Sequence, residues 1–141
     1  MSNTFDVIIV GGGPAGLFAA WWLADHSDLS VCIVERGNMV KKRGCPLGKA
    51  KKCMKCDPCH ILSGMGGGGL FSDGKLNTQT HSGYNADVLA TFARFGAPEE
   101  VTYLGKPHIG SDRLKGVVRS MRAYILSCGG EVRFSTRLES L

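Results

Sequence analysis

The stretch that decides the fold is Phe5-Asp-Val-Ile-Ile-Val10, followed by Gly11-Gly-Gly-Pro-Ala-Gly16, a long apolar segment and Val31-Cys-Ile-Val-Glu35. An apolar strand is followed by a GxGxxG turn that opens a helix, and an acidic residue lies 19 positions beyond the last glycine. This is the dinucleotide-binding fingerprint in the context that it requires. The alternative is a chance glycine turn. The fingerprint predicts an α/β fold with a Rossmann-like doubly wound parallel sheet.

The residues of the fingerprint have separate physical roles. Gly11 permits the tight turn, Gly13 lets the backbone approach a pyrophosphate, and Gly16 lets the helix pack closely on the sheet. Pro14 suits the first helical turn, where its missing N–H costs little. Together with Ala15 it begins a helix whose free N–H groups and dipole attract an anion.

The end of the second strand supplies the next cofactor contacts. We expect the Glu35 carboxylate to accept both hydroxyl protons of an adenosine ribose. Arg36, beside it, is a further candidate cofactor-binding residue.

The remaining elements follow from hydrophobic periodicity and helix signals. We predict a first helix that is apolar nearly all round and buried on several sides. Asn85 and Ser111 are the predicted N-caps of two later helices. The range 37–83 shows no sustained periodicity, and so long a loop is usually functional. The predicted elements are strand Phe5–Val10, helix Pro14–His26, strand Ser30–Glu35, helix Asn85–Phe95, helix Asp112–Cys128 and strand Glu131–Phe134.

Composition limits the classes of function. The 141 residues fit one domain, and the net charge is +5. Seven basic residues crowd into the range 41–55, which indicates a solvated loop, an acidic partner or, least favoured, nucleic acid. No aromatic residue lies among them, so no platform for base stacking is present and we expect no nucleic-acid partner. The longest apolar run, Ala15–Ala24, is too short to span a membrane.

The cysteines predict a compartment and a candidate metal site. Six cysteines without a basic signal segment indicate the reducing cytoplasm. A Cys-rich loop at 41–60 carries the spacing C-x7-C-x2-C-x2-C, which suits zinc or an iron–sulfur cluster with nearby lysines favouring the thiolates. Four reduced thiols, or a labile disulfide pair, are the alternative. The candidate ligands are Cys45, Cys53, Cys56 and Cys59. Cys32 and Cys128 are predicted to be small core residues.

A Gly-rich loop at 63–75 is the second candidate site. Its glycines permit a close approach of the backbone to a flat ligand and leave N–H groups free to donate. Lys75 could stabilise the negative charge of a reduced flavin. A flexible surface loop is the alternative, although Leu70-Phe71 argues against it. The candidate flavin-binding residues are Gly66, Gly67, Gly68, Gly69, Ser72 and Lys75.

These strings resemble a known group. Asp6-Val-Ile-Ile-Val-Gly-Gly-Gly-Pro-Ala-Gly-Leu17 resembles the opening of glutathione-reductase-type FAD-binding flavoproteins. Arg43-Gly-Cys-Pro46, Cys53-x2-Cys56-Asp-Pro-Cys59, Gly66-Gly-Gly-Gly-Leu-Phe-Ser-Asp-Gly-Lys75 and Gly105-Lys-Pro-His-Ile-Gly-Ser-Asp112 resemble the bacterial uncharacterised FAD-dependent dehydrogenase family. The resemblance implies an FAD cofactor and oxidoreductase activity, and it supplies neither substrate nor electron acceptor.

The resemblance also predicts what accompanies this chain. Flavoproteins of this kind are considerably longer, so we expect residues 1–141 to be the N-terminal part of an FAD/NAD(P)-binding domain. The incomplete FAD-binding domain would then need its C-terminal part as a partner, and alone it would be inactive. A non-catalytic nucleotide- or metal-binding module and an NAD-dependent Rossmann enzyme are the alternatives. His108 is the best candidate proton donor, although a structural role is favoured for it.

Overall fold

A computed structural model describes residues 4–76, 80–105 and 107–140 of the chain. It has the predicted α/β fold, with three strands and four α-helices among the described residues. The long loop also holds short 3-10 turns at Val40–Lys42 and Gly68–Phe71, and a third lies at Glu99–Thr102. The elements are β1 (Val7–Val10), α1 (Pro14–His26), β2 (Val31–Val34), α2 (Leu47–Ala50), α3 (Tyr84–Arg94), α4 (Ser111–Ser127) and β3 (Glu131–Arg133).

The three strands form a parallel sheet in the order β1-β2-β3. Val7 of β1 pairs with Val31 of β2, and Cys32 of β2 pairs with Glu131 of β3. The carboxyl ends of parallel strands therefore meet at one edge, next to the fingerprint turn. Within the described residues β1 has no neighbouring strand on its other side. The doubly wound arrangement remains a prediction.

The core lies between one face of the sheet and the helices. Ile33 of β2, Met65 of the long loop and Met121 of α4 are essentially inaccessible to solvent. The opposite face of β1 is open, because Ile8 and Val10 are 55% and 60% exposed. The alternation along β1 matches a strand that is buried on one face.

Helix α1 is less buried than its composition predicts. Its buried residues are Leu17, Ala20 and Trp21, which lie on one face, whereas Trp22 is 54% exposed. The expectation of burial on several sides was wrong, because the sheet and α4 cover only the face that carries Leu17 and Ala20.

Three other details of the sequence prediction are wrong. Helix α3 follows Gly83, and the Asn85 side-chain amide donates to the carbonyl of Thr80 (2.8 Å) instead of capping. Helix α4 follows Gly110, whose φ of +82° suits glycine, so Ser111 is the first helical residue. Cys128 is exposed, whereas Cys32 is buried as predicted.

Asp25 links three helices. Arg94 of α3 donates two hydrogen bonds to its carboxylate, at 3.0 and 3.1 Å, and the Tyr124 hydroxyl of α4 donates a third. These donors lower the pKa of Asp25 from its ordinary 3.8 to about 2, with the Arg94 hydrogen bond as the largest cause. The cluster holds the carboxyl-terminal ends of α1, α3 and α4 together.

Candidate cofactor site

The fingerprint turn has the predicted tight geometry. Gly11 adopts φ +101°, and its N–H donates to the carbonyl of Val34 at 2.8 Å. Leu17 N–H donates to Gly13 O at 2.9 Å, which makes Gly13 the residue before the first turn of α1. A Cβ on Gly16 would lie 2.0 Å from the carbonyl oxygen of Gly11. Gly16 is therefore required by the fold itself, because backbone occupies that space.

Glu35 is buried and holds three backbone segments together. Its Oε2 accepts the Gly12 N–H at 2.7 Å. Its Oε1 accepts the N–H groups of Gly37 (2.7 Å) and Gly64 (2.9 Å). Since a carboxylate offers about four acceptor positions, one remains, on Oε2. As placed, Glu35 could therefore accept one ribose hydroxyl and not the two that we expected.

The Gly-rich loop packs directly on the fingerprint turn. Gly66 N–H donates to Gly12 O at 2.7 Å, and a Cβ on Gly67 would lie 3.1 Å from Cδ of Pro14. Gly66 and Gly67 have φ of +86° and +64°, the left-handed region that favours glycine. The N–H groups of 64–67 are all bonded within the protein, so the expectation of free donors there was wrong.

Arg43 holds the Gly-rich loop from beneath. Its Nη1 donates to the carbonyls of Met65 and Gly67, both at 2.8 Å. Its Nη2 donates to the Ile61 carbonyl, and its guanidinium lies 4.9 Å from the centre of the Phe71 ring. In the sequence prediction Arg43 was one of the seven basic residues of the range 41–55 and part of a string that resembles the family, and it had no role of its own. Its isolated inward position among exposed lysines could not be found from periodicity.

One cavity of about 440 Å³ lies at the carboxyl ends of the strands. It is lined by Gly11 and Gly13 of the fingerprint, by Glu35 and Arg36 at the end of β2, and by Gly67 of the Gly-rich loop. Sequence reasoning missed residues 136–138, which reach this cavity and are separated from the end of β3 by two residues. The lining residues include Gly11, Gly13, Glu35, Arg36, Leu62, Ser63, Gly67, Thr136 and Arg137. Arg36 also donates from Nε to the buried Ser63 hydroxyl at 2.9 Å.

A second cavity of about 430 Å³ is lined by the first residues of α1. Apart from Lys75 and Ser72 its walls are almost entirely apolar, supplied by α1, α3 and α4. Its lining combines predicted flavin residues with core side chains: Pro14, Ala15, Gly66, Gly69, Ser72, Lys75, Phe18, Val88, Leu114 and Met121 among them. A third cavity of about 570 Å³ adjoins it through Lys75, Leu76, Val88 and Phe92. Gly68, another predicted flavin-binding residue, begins the short helical turn Gly68–Phe71.

Lys75 lies at the junction of the last two cavities. Its Nζ pairs with Asp73 Oδ2 at 2.8 Å, and this contact raises the pKa of Lys75. Lys75 also pairs in an antiparallel bridge with His108, whose Nε2 lies 2.6 Å from the carbonyl oxygen of Asp73. The contact occupies one ring nitrogen of His108, which supports the structural role favoured for it.

The four loop cysteines do not form a metal centre as placed. Among residues 4–76, 80–105 and 107–140, no group of three or more His, Cys, Asp or Glu side chains could hold a metal ion. All four are free thiols, and zinc or iron–sulfur binding remains a prediction. The pKa of Cys59 is lowered chiefly by hydrogen bonds from the N–H groups of Leu62 and Ile61, with Arg36 and Arg43 adding to the effect. The lysines that we expected to lower it are not the cause.

No helix in the described part of the chain is long and apolar enough to cross a membrane. The parallel sheet, the glycine turn and the cavity at the strand ends define a nucleotide-binding domain of Rossmann type. Residues 5–109 match the model of the pyridine nucleotide-disulphide oxidoreductase family, and the chain belongs to that family.

Several known proteins are similar to this chain. An uncharacterised protein of Clostridium beijerinckii is 41% identical over 135 residues, which cover 95% of this chain and 25% of that protein. Electron transfer flavoprotein-ubiquinone oxidoreductase of Pseudomonas aeruginosa is 51% identical over 41 residues, covering 26% of this chain and 7% of that protein. The mitochondrial protein of that name from Arabidopsis thaliana is 56% identical over 41 residues, covering 26% of this chain and 6% of that protein. The chain thus spans a quarter or less of these relatives.

Proposed function

We propose that this chain forms the FAD-binding part of an FAD-dependent oxidoreductase. The observation that carries the proposal is the pair of cavities that adjoin the start of α1, each lined by a different predicted set. The cavity of about 440 Å³ at the strand ends holds Gly11, Gly13 and Glu35 and suits the adenosine and pyrophosphate. The apolar cavity of about 430 Å³ suits a flat ring system.

FAD joins an adenosine to a flavin through a pyrophosphate, so it needs two separated pockets with an anion site between them. The start of α1 supplies that site, because Gly13 lines the first cavity and Pro14 and Ala15, which open the helix, line the second. Gly13 and Gly67 lie side by side there, since a Cβ on Gly67 would be 3.5 Å from the Gly13 Cα. Bound FAD would supply the transfer of hydride or electrons.

The residues of this chain would orient the cofactor and exclude water. Glu35 offers its remaining acceptor position to the ribose, and Arg36 lies in the same cavity. Lys75 brings a positive charge to the apolar cavity, where it would favour the anionic reduced form of the flavin. The electron transfer flavoprotein-ubiquinone oxidoreductases named above support a flavin and electron transfer by their names alone.

Substitution of Gly13 by alanine tests the proposal. Gly13 has φ −72° and nothing within 4 Å of an added Cβ, so the fold should tolerate Gly13→Ala. The methyl group would occupy space where the pyrophosphate must approach. We expect an unchanged melting temperature and FAD affinity reduced at least about tenfold, the effect of losing about 1.4 kcal/mol. Fluorescence titration with FAD, NAD⁺ and NADP⁺ measures the affinity and also separates the NAD-dependent alternative.

The matched control is Gly48→Ala in α2, where an added Cβ also meets nothing within 4 Å. Gly48 lies outside the three cavities described above, so FAD affinity should not change. A Gly13→Ala protein that binds FAD as tightly as the natural chain would contradict the proposal. Tighter binding of NAD⁺ than of FAD would favour the NAD-dependent enzyme.

A further inference from the structure

The positive charge of this chain is confined to one surface. The range 36–56 contains eight basic residues and no acidic residue, whereas the other nine basic residues share the rest of the chain with all 12 acidic residues. We define the basic loop as its six exposed lysines, Lys41, Lys42, Lys49, Lys51, Lys52 and Lys55. Outside this loop the chain is net acidic, so the charge needed for solubility does not explain the segregation.

The lysines of the basic loop have no acidic partner within the part of the chain that the structure describes. The ion pairs found there involve Lys75, Lys115 and arginines elsewhere. The ammonium groups of the lysines in the basic loop are therefore available to an external acidic group. Leu47 and Met54 lie among them and are 44% and 53% exposed. Apolar side chains surrounded by charge are typical of protein–protein contact surfaces.

The basic loop is joined to the cofactor site by Arg43. This residue follows Lys41 and Lys42 directly, yet its guanidinium turns inward to the carbonyls of Ile61 and Gly67. Gly67 lines the cavity at the strand ends, and so does Leu62, which follows Ile61 and is 70% exposed. Lys41 and Lys42 therefore directly precede, in the chain, the residue that anchors one wall of the proposed FAD site.

We propose that the basic loop is a docking surface for a small acidic electron-carrier protein. This inference rests on the proposed function, because an FAD-dependent oxidoreductase must exchange electrons with a partner. An acidic protein satisfies both features of the surface, since carboxylates meet the lysines and an apolar patch meets Leu47 and Met54. Nucleic acid fits less well, because the loop has no aromatic residue. A membrane fits less well too, because α2 has only four residues and cannot lay an apolar face in a bilayer.

The test measures binding of the 141-residue chain to a plant-type [2Fe–2S] ferredoxin, a small acidic carrier, and to cytochrome c, a basic one. Titrations at about 20 mM and about 300 mM salt place the Debye length well above and below 10 Å. We expect the chain to bind the ferredoxin in low salt, to release it in high salt, and to show no binding to cytochrome c.

The variant K42Q/K49Q/K52Q removes three charges at positions without a left-handed backbone, unlike Lys51 and Lys55. Affinity for the ferredoxin should fall about tenfold, since each exposed charge pair that is lost weakens binding by a modest factor. The matched control R113Q/K115Q/R119Q removes three charges from α4 and should bind as the natural chain does. Circular dichroism checks that both variants fold.

Four results would overturn the docking proposal: no binding of the ferredoxin in low salt, binding of cytochrome c as tight as that of the ferredoxin, equal losses in the two variants, or tighter binding to a DNA duplex or to phosphatidylserine vesicles. FAD titration of the same samples keeps the two proposals apart. Lost ferredoxin binding with intact FAD binding rejects the docking surface alone. Absent FAD binding with intact ferredoxin binding rejects the proposed function alone.

Discussion

The Oε2 atom of Glu35 accepts the N–H of Gly12 at 2.7 Å, so the residue expected to bind the cofactor also fixes the turn that would hold its pyrophosphate. The other oxygen of Glu35 holds Gly37 and Gly64. One carboxylate therefore connects the fingerprint, the end of β2 and the start of the Gly-rich loop. Its substitution should affect folding and binding together.

We predict that Glu35→Ala lowers the free energy of unfolding by several kcal/mol, because each buried donor left without an acceptor costs about 1–3 kcal/mol. Glu35→Gln should cost less, since its amide oxygen could still accept from Gly37 and Gly64. Urea unfolding monitored by circular dichroism measures both. Equal unfolding midpoints for Glu35→Ala and the natural chain would show that the three hydrogen bonds do not hold the site together.

Two helical glycines, one with no room for a side chain and one beside open space, give a paired prediction. Gly16→Ala should disrupt the fold, because its Cβ would lie 2.0 Å from the Gly11 carbonyl oxygen. Gly116→Ala in α4 meets open space and should stabilise by about 0.5–1 kcal/mol through a lower unfolded-state entropy. Thermal melting compares them. A Gly16→Ala protein that melts like the natural chain would contradict the close packing of α1 on the turn.

Asp25 predicts a loss of stability in acid. Because Arg94 and Tyr124 hold the pKa of Asp25 at about 2, below its ordinary 3.8, its contribution to stability is complete above about pH 4. That contribution should disappear as the pH falls from about 4 to about 2. The difference in unfolding free energy between the natural chain and Asp25→Asn should shrink over this range. A difference that does not change with pH would remove Asp25 from the explanation.

Lys75 predicts a shift in the potential of bound FAD. Lys75→Met removes a positive charge from the apolar cavity and should disfavour the anionic reduced flavin. We expect the two-electron potential to fall by about 30 mV, equivalent to about 1.4 kcal/mol. Spectroelectrochemical titration of FAD-loaded protein measures this shift. Lys115→Met is the control, since Lys115 pairs with Asp112 on the surface of α4. Equal potentials for Lys75→Met and the natural protein would place the flavin elsewhere.

The open face of β1 predicts self-association. Ile8 is 55% exposed on a strand with no partner on one side among the described residues, and such an edge is a template for pairing with another chain. Ile8→Thr keeps a β-branched side chain and should reduce association, as measured by light scattering. Val7→Thr, on the face that packs against the core, should lower the melting temperature instead. A natural chain that stays monomeric at high concentration would contradict this prediction.

The sequence predicted the elements better than it predicted their surroundings. The bounds of α1 follow from Pro14 and the apolar run, and the structure has them as predicted. The predictions of Asn85 and Ser111 as N-caps were wrong, because Gly83 and Gly110 occupy the N-cap positions. Local side-chain preference is outweighed there by the backbone path of the entering loop.

The site was predictable where a motif has a fixed spacing and not where the fold brings distant segments together. Gly11 and Gly13 of the fingerprint line one cavity together with Glu35. Residues 136–138 and the inward turn of Arg43 depend on the sheet order and on loop contacts across more than 20 residues. No periodicity encodes such contacts. The cysteine spacing was equally regular, yet the described residues include no group of three or more side chains that could hold a metal ion.

Arg43 connects the basic loop to the Gly-rich loop. Its guanidinium donates hydrogen bonds to the carbonyls of Ile61, Met65 and Gly67, at both ends of the segment 61–67. Binding at the basic loop and binding at the Gly-rich loop are then thermodynamically linked. If occupation of the lysines changes the affinity of the glycine loop for its ligand by some factor, the ligand must change the affinity at the lysines by the same factor. The side chain of Arg43 is thus the contact through which binding at the basic loop would change cofactor affinity, and through which cofactor binding would change affinity at the basic loop.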